Sequence, residues 1–277
     1  MANMYQYENF KIEVSSEGIA HVQINRPKSL NALLPQMIID IGKIFQQISD
    51  DINVRCVILS SSGRMFTAGL DLAGNELSKL SNPELDTARN TYRARPMIKL
   101  VQDAFTAVEL CSKPVIAAIH NACIGGGVDL TTACDIRYCT KDAYFSVKEV
   151  DLGFAADVGS LQRLPKVIGN HSLVRELCYT ARNMYADEAL QCGLVNKVTE
   201  NHESLLAEAL KTAQNIASKS PIAILGTKHL LNYSRDHSVA EGLDYSVTWN
   251  SAMLQTEDVS RSIEGLLKKT PAKYSKI

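Results

Sequence analysis

The chain has 277 residues, 45% of them hydrophobic and 21% charged, with a formal net charge of −1 at pH 7. That profile fits a globular protein with ample core and excludes a basic nucleic-acid-binding face or a polybasic membrane anchor. Seven cysteines (56, 111, 123, 134, 139, 178 and 192) form no C-x-x-C pair and lie mostly in apolar segments, so free thiols are expected rather than disulfides or zinc. No apolar run reaches the roughly 18 residues needed to cross a bilayer. The first turns carry Glu8, Glu13 and Glu17 and no arginine, which argues against a presequence. A soluble intracellular protein is expected.

In chain order, Ile12 and Val14, then Ile19 to Ile24, give two short alternating runs around a Ser15–Gly18 turn, a hairpin pattern. Arg26-Pro27 ends the second run, since proline has no N–H. Asn31 can cap the turn that follows. Met37, Ile38, Ile41, Ile44, Phe45 and Ile48 mark one face of a helix. Val54–Leu59 and Val115–Ile119 read as strands buried on both sides. Between them lies a helical stretch from Pro83 to Cys111, with Pro96 expected to kink or divide it. Ile136–Cys139 and Tyr144–Val147 read as further strands. From about Gly159 the pattern is mostly helical, with a short strand at Leu194–Val198. Repeated strand–loop–helix units with a helical end indicate an α/β fold.

Two loops share a design, a buried strand leading to a Gly-bearing turn: Phe66-Thr-Ala-Gly-Leu-Asp-Leu72 and Ile124-Gly-Gly-Gly-Val-Asp-Leu130. Glycine permits positive φ and close approach, and a helix N-terminus offers free N–H groups. The three glycines are therefore either a tight turn or a backbone site for an anion or a developing oxyanion. If both strands lie parallel in one sheet, both loops emerge at its carboxyl edge, where one N–H from each can converge on one oxygen. Neither a dinucleotide G-x-G-x-x-G nor a Gly-Lys-Ser/Thr phosphate loop is present.

These segments resemble the crotonase (enoyl-CoA hydratase/isomerase) superfamily. The matching pieces are Asn25-Arg-Pro-Lys-Ser-Leu-Asn-Ala-Leu33, Phe66-Thr-Ala-Gly-Leu-Asp71, Lys113-Pro-Val-Ile-Ala-Ala-Ile-His-Asn121, Gly125-Gly-Gly127, Ala133-Cys-Asp-Ile-Arg137 and Leu161-Gln-Arg-Leu-Pro165, in family order over most of the chain. The resemblance implies a crotonase-type repeated ββα core over residues 1–200 and a helical C-terminal region, 201–277, for assembly as a homotrimer or a dimer of trimers, a homohexamer. It implies an acyl-CoA thioester substrate, an oxyanion hole made by the N–H groups of Leu70 and Gly126, and a pocket lined by Ala68, Gly69, Leu70, Asp71 and Leu72. No metal, flavin or nicotinamide is implied, and neither a nucleic-acid nor a membrane partner.

Three acids are candidates for the chemistry. On residue type alone Asp129 is a first-turn helix acid, Glu149 a solvated edge residue paired with Lys148, and Asp157 a helix N-cap. The resemblance reads them differently. Hydratases of the superfamily hold water between acids at the positions of Asp129 and Glu149. Here the first is one methylene shorter than the usual Glu, and an acid also stands at 157, where hydratases usually have Gly. Acids at all three positions resemble the Δ3,5-Δ2,4-dienoyl-CoA isomerase branch, as do the run Lys148–Gly159 and Tyr233-Ser-Arg-Asp-His-Ser238. In that scheme Glu149 takes a proton from carbon 2, Asp157 delivers one to carbon 6, and Asp129, as a neighbouring like charge, favours the protonated state of Asp157. Burial among Phe154, Ala155 and Ala156 would raise the pKa of Asp157. The alternatives are an enoyl-CoA hydratase and a non-catalytic acyl-CoA- or RNA-binding member.

His120 is expected to pack in the core, and Ser60–Ser62 shows no His/Asp pattern for a nucleophile. The ending Ser275-Lys-Ile277 resembles the peroxisomal address Ser-Lys-Leu. A peroxisomal location is expected, with mitochondrial or cytosolic as alternatives.

Overall fold

The computed structural model describes residues 5–73 and 82–277. Its strands are β1 (Phe10–Val14), β2 (Ile19–Ile24), β3 (Cys56–Ser61), β4 (Val115–Ile119), β5 (Ala122–Ile124), β6 (Ile136–Thr140), β7 (Tyr144–Ser146), β8 (Met184–Tyr185) and β9 (Lys197–Thr199). Its helices up to the sheet's last strand are α1 (Pro35–Asp50), α2 (Thr87–Leu110), α3 (Gly126–Thr132), α4 (Ser160–Ile168), α5 (His171–Thr180) and α6 (Ala186–Gln191). After it come α7 (His202–Ala217), α8 (Pro221–Arg235), α9 (Val239–Met253) and α10 (Glu257–Lys268).

β1 and β2 form the antiparallel hairpin, and the sheet then continues parallel in the order β1-β2-β3-β4-β6-β9. A smaller sheet, β5-β7-β8, stands beside it. Alternation along β3 and β4 divides the core. Val57, Leu59, Val115 and Ala117 face α1 and α2, while Cys56, Ile58, Ile116 and Ala118 face Leu205, Ala209 and Ala213 of α7. Both sheet faces are covered, which is why these strands read as unbroken apolar runs. On α1, Met37, Ile38, Ile41, Ile44, Phe45 and Ile48 are at most 2% exposed. Each such side chain contributes about 1.5–3 kcal/mol on leaving water.

The packing refines two expectations. Pro96 does not divide its helix: α2 runs unbroken from Thr87 to Leu110. The buried residues of α2 are Ala104, Phe105, Val108 and Glu109, all in its C-terminal half. The lost hydrogen bond therefore falls where solvent can satisfy the freed carbonyl. The helical C-terminal region expected from residue 201 opens with α7, which packs on the sheet as part of the core. Helices α8 to α10 stand outside it, tied back by Lys228 Nζ, 2.8 Å from Asp135 Oδ2 and 3.1 Å from the carbonyl of Lys113. No helix among the described residues is long and apolar enough to cross a membrane.

Candidate active site

Because β3 and β4 are parallel neighbours, with Val57 opposite Val115 and Leu59 opposite Ala117, their exit loops leave from the same edge. The first loop is pulled against β5: the Thr67 amide donates to Ala122 O (3.0 Å) and the Ile124 amide to Thr67 O (3.3 Å). It is held from the other side by the segment after Pro27. Ala68 N donates to Leu30 O, Leu33 N to Gly69 O (2.7 Å), and Asp71 N to Leu33 O (3.0 Å). Asn31, fully buried, donates through Nδ2 to Ser62 O and Met65 O and accepts from Arg26 N at Oδ1. Thr67 Oγ1 closes the turn by accepting from Gly69 N.

The three glycines serve three purposes. Gly125 has φ +51, and a Cβ there would stand 3.2 Å from Oε1 of Glu149. Gly127 has no room at all, since its Cβ would collide with Cγ2 of Thr67 and lie 3.2 Å from Sγ of Cys123. Gly126 is different: a Cβ would meet only Leu33 Cδ1 at 3.5 Å and Leu70 Cδ2 at 4.0 Å, ordinary contacts. It is the first residue of α3, so its amide has no intrahelical acceptor. The Leu70 amide likewise has no acceptor among the described residues. The structure thus brings the two expected donor residues, Leu70 and Gly126, into contact range of each other, and neither amide has an acceptor among the described residues.

The rest of the expected pocket divides. Ala68 and Gly69 form the turn, with Gly69 at φ +89 and its Cβ position 2.9 Å from Ile124 O. Leu72 is 53% exposed. Asp71 is used structurally: its Oδ2 takes a 2.6 Å hydrogen bond from Arg26 Nη1, and its side chain is 11% exposed. That ion pair lowers the Asp71 pKa.

Asp129, Glu149 and Asp157 converge on this site. Asp129, on α3, has no solvent exposure, and its Oδ1 accepts a 2.5 Å hydrogen bond from Ser160 N. The cap of α4 is thus Asp129 rather than Asp157, which lies two residues before the Gly159 N-cap. Glu149 opens a 3-10 turn (Glu149–Leu152) and is 5% exposed, so it is not a solvated edge residue. Lys148 does not pair with it; Lys148 Nζ lies 2.9 Å from Asp151 Oδ2. Asp157 is half-buried, with its carbonyl accepting from Gln102 Nε2 at 2.7 Å. Of its expected apolar neighbours, Ala156 is buried but Ala155 is exposed.

Burial and mutual repulsion set the proton affinities. Glu149 is pushed up to about 7, first by burial and then by the charge of Asp129. Asp129 rises to about 6, chiefly through burial, held back by the Ser160 hydrogen bond and the charge of Arg163. Asp157 is also raised, by burial. Oδ2 of Asp129 and Oε2 of Glu149 are buried without a hydrogen-bond partner among the described residues. Groups poised near neutrality beside free amides can exchange protons with a carbonyl compound whose enolate the amides hold.

The sequence model of the enoyl-CoA hydratase/isomerase family matches residues 14–276. The chain belongs to the enoyl-CoA hydratase/isomerase family. Among its relatives, the mitochondrial Δ(3,5)-Δ(2,4)-dienoyl-CoA isomerase of Rattus norvegicus is 51% identical over 97% of this chain and 82% of its own length. The peroxisomal enzyme of that name from Arabidopsis thaliana is 44% identical over 99% of each chain. A solved enoyl-CoA hydratase from Bacillus anthracis superposes with a TM-score of 0.86 at 28% identity, over 97% of this chain and 99% of that one.

Other residues of this family member that shape the site were not singled out from the sequence. Arg26 and Arg163 lay inside the quoted motifs, yet nothing local shows that one bolts the Asp71 turn and the other stands beside α3. Gln102 and Glu109 carry no sequence signal beyond their helix. His120 is in the core as expected, its Nε2 3.0 Å from Gly63 O and its ring stacked 4.1 Å from that of His202. Ser60, read as lacking the His/Asp pattern of a nucleophile, has His21 Nε2 2.7 Å from its Oγ. Ser60 has no exposed surface, so this pair is a packing feature between β2 and β3. A cavity of about 260 Å³ lies between α8, α9 and α10, lined by residues such as Gly226, Trp249 and Val259, away from the three acids.

Proposed function

We propose that this chain is a Δ3,5-Δ2,4-dienoyl-CoA isomerase, which shifts the two double bonds of a 3,5-dienoyl thioester into the 2,4 positions during oxidation of unsaturated fatty acids. The observation that carries the reading is the gathering of three acids with raised proton affinities beside the paired amides of Leu70 and Gly126. Relatives of that name cover nearly the whole chain.

Glu149 accepts the proton as the bond from carbon 2 to hydrogen breaks. The negative charge spreads from the thioester oxygen along the conjugated chain. The Leu70 and Gly126 amides hold that oxygen, at about 3–4 kcal/mol for a well-placed donor. Asp157, whose proton affinity burial raises, delivers a proton to carbon 6. Glu149 then carries the extra proton and Asp157 has lost one. Exchange with Asp129 or solvent restores the start. This acid–base scheme draws on no metal, flavin or nicotinamide.

Incubation with a 3,5-dienoyl-CoA, followed by the absorbance of the conjugated 2,4-diene, tests the reading. Strong hydration of a 2-enoyl-CoA with no diene absorbance would overturn it in favour of a hydratase, the reaction named for the Bacillus anthracis neighbour. Inertness toward every acyl-CoA would favour a binding protein.

The assembly belongs to the same proposal, a homotrimer or dimer of trimers built through α8 to α10. Val239, Leu243 and Val247 lie on one stripe of α9, and Leu266 and Leu267 of α10 are about as exposed, 64–80%. Apolar surface of that extent suits a second copy. A monomer in sedimentation would overturn it. Import into peroxisomes is proposed from Ser275-Lys276-Ile277. Imaging the full chain with and without Ile277 tests it.

A further inference from the structure

Beside the acids stands a charge arrangement that the scheme above does not use. Arg163, on α4, is 11% exposed, and its Nε and Nη2 donate to Oε2 of Glu109 (3.2 and 3.0 Å), with Nη2 also on Thr106 Oγ1 (3.0 Å). Glu109 Oε1 is occupied by Arg235 Nη1 of α8. Burial alone would raise the Glu109 pKa, but the two arginines hold it below its ordinary range. Glu109 is shared between two guanidiniums, of which Arg235 also pairs with Asp236 (Nη2 to Oδ2, 3.1 Å), so Glu109 offsets the Arg163 charge only in part. The remainder is directed at Asp129. A Cβ added at Gly159 would collide with Nη1 of Arg163 and stand 3.7 Å from Oδ1 of Asp129, so the two groups flank one spot. Gly159, at φ +146, leaves that spot open.

We propose that Arg163 is a positioning residue for the isomerisation: by keeping Asp129 ionised it sets the proton affinity of Glu149, the base. The proposal rests on the isomerase reading. Other groups facing the pair do not supply the charge. Asp157 is a third acid, Cys123 of β5 and Cys178 of α5 are thiols that burial pushes up and keeps neutral, and Lys148 is engaged by Asp151 and the Ala181 carbonyl. Among the described residues facing the pair, Arg163 is the cation placed to act on Asp129, through Nη1, which takes no part in the bonds to Glu109 and Thr106. The fork to Glu109 and Thr106 fixes where its charge sits, a geometry a lysine ammonium reproduces only in part.

Without Arg163 the proton settles on Asp129, and Glu149, now beside a neutral neighbour, ionises more easily. In Arg163→Gln the acid limb of the kcat–pH profile should move down by about one pH unit, with kcat lowered and KM little changed. Arg163→Lys, which keeps the charge but fixes its position only in part, should move the limb less than Arg163→Gln. Asp129→Asn should move the limb the same way, and adding Arg163→Gln to it should move it no further. A limb that stays in place in Arg163→Gln, or that shifts again in the double variant, overturns the proposal. If Arg163→Gln does not fold, Asp129→Asn decides: an unmoved limb there removes the coupling on which the proposal depends. Failure of the isomerase reading is distinct, because the unaltered protein would then not convert a 3,5-dienoyl-CoA at all.

Discussion

Oδ1 of Asp129 accepts a hydrogen bond of 2.5 Å from the amide of Ser160, so a carboxylate on one helix caps the next. Its other oxygen is buried without a partner, as is one oxygen of Glu149. Both acids hold protons in the folded state at pH values where the unfolded chain has released them. Stability from this source is present below their ordinary values, 3.8 and 4.5, and is lost as pH rises through about 6 and about 7. Asp129→Asn and Glu149→Gln should therefore raise Tm at pH 8, by the equivalent of about 2–3 kcal/mol each, and give little gain at pH 4. Thermal unfolding from pH 4 to 8 checks this. A gain independent of pH would show that the acids are not strained by ionisation.

The two proton steps should separate by mutation. Asp157→Asn should lower isomerisation by about 10²–10⁴-fold, yet solvent deuterium should still enter carbon 2 of the bound substrate, because Glu149 is intact. Glu149→Gln should lose both exchange and isomerisation. Mass spectrometry of recovered thioester reads the label. Exchange in Glu149→Gln would assign the base elsewhere.

Neighbouring glycines should respond in opposite ways. Gly127→Ala drives a methyl into Thr67 and should destabilise by about 1–3 kcal/mol. Gly126→Ala meets only ordinary contacts with Leu33 and Leu70 and should fold with near-native Tm. Equal losses of Tm in the two variants would contradict the packing described for α3.

Breaking the bolt on the first loop should reach the site indirectly. Arg26→Ala leaves the Asp71 carboxylate, 11% exposed, without its cation and should cost about 1–2 kcal/mol. The Leu70 amide sits next to Asp71, so kcat/KM should fall as well. Unfolding and steady-state assays on one preparation test both. A loss of stability with unchanged kcat/KM would detach this bolt from the donor.

The sequence disclosed what depends on neighbours along the chain. Val54–Leu59 and Val115–Ile119 announced strands buried on both faces, with their parallel pairing left as a condition, and the glycines announced a close approach. Gathering Asp129, Glu149 and Asp157 needed the family resemblance, since positions 129 and 157 carry equally plausible helix-end roles. What stayed hidden is tertiary. Asp129 caps a helix 31 residues on, Asp71 is spent on Arg26, and Lys148 turns to Asp151 rather than Glu149. β5 is only three residues long, too short for an alternating pattern, and its pairing with β7 holds it in place.

The pairing of β3 with β4 has one further consequence. Parallel strands lie about 4.8 Å apart, and both amide-bearing loops grow from these two. From that base the Thr67–Ala122 and Ile124–Thr67 backbone hydrogen bonds tie the first loop to β5, just ahead of Gly126, so the gap between the Leu70 and Gly126 donors is gauged by backbone pairing, a caliper mounted on the core. The acids are mounted separately, on a short helix, a 3-10 turn and a loop. Evolution or an engineer can exchange the acids proposed to handle protons while the amide pair proposed to hold the thioester oxygen keeps its setting.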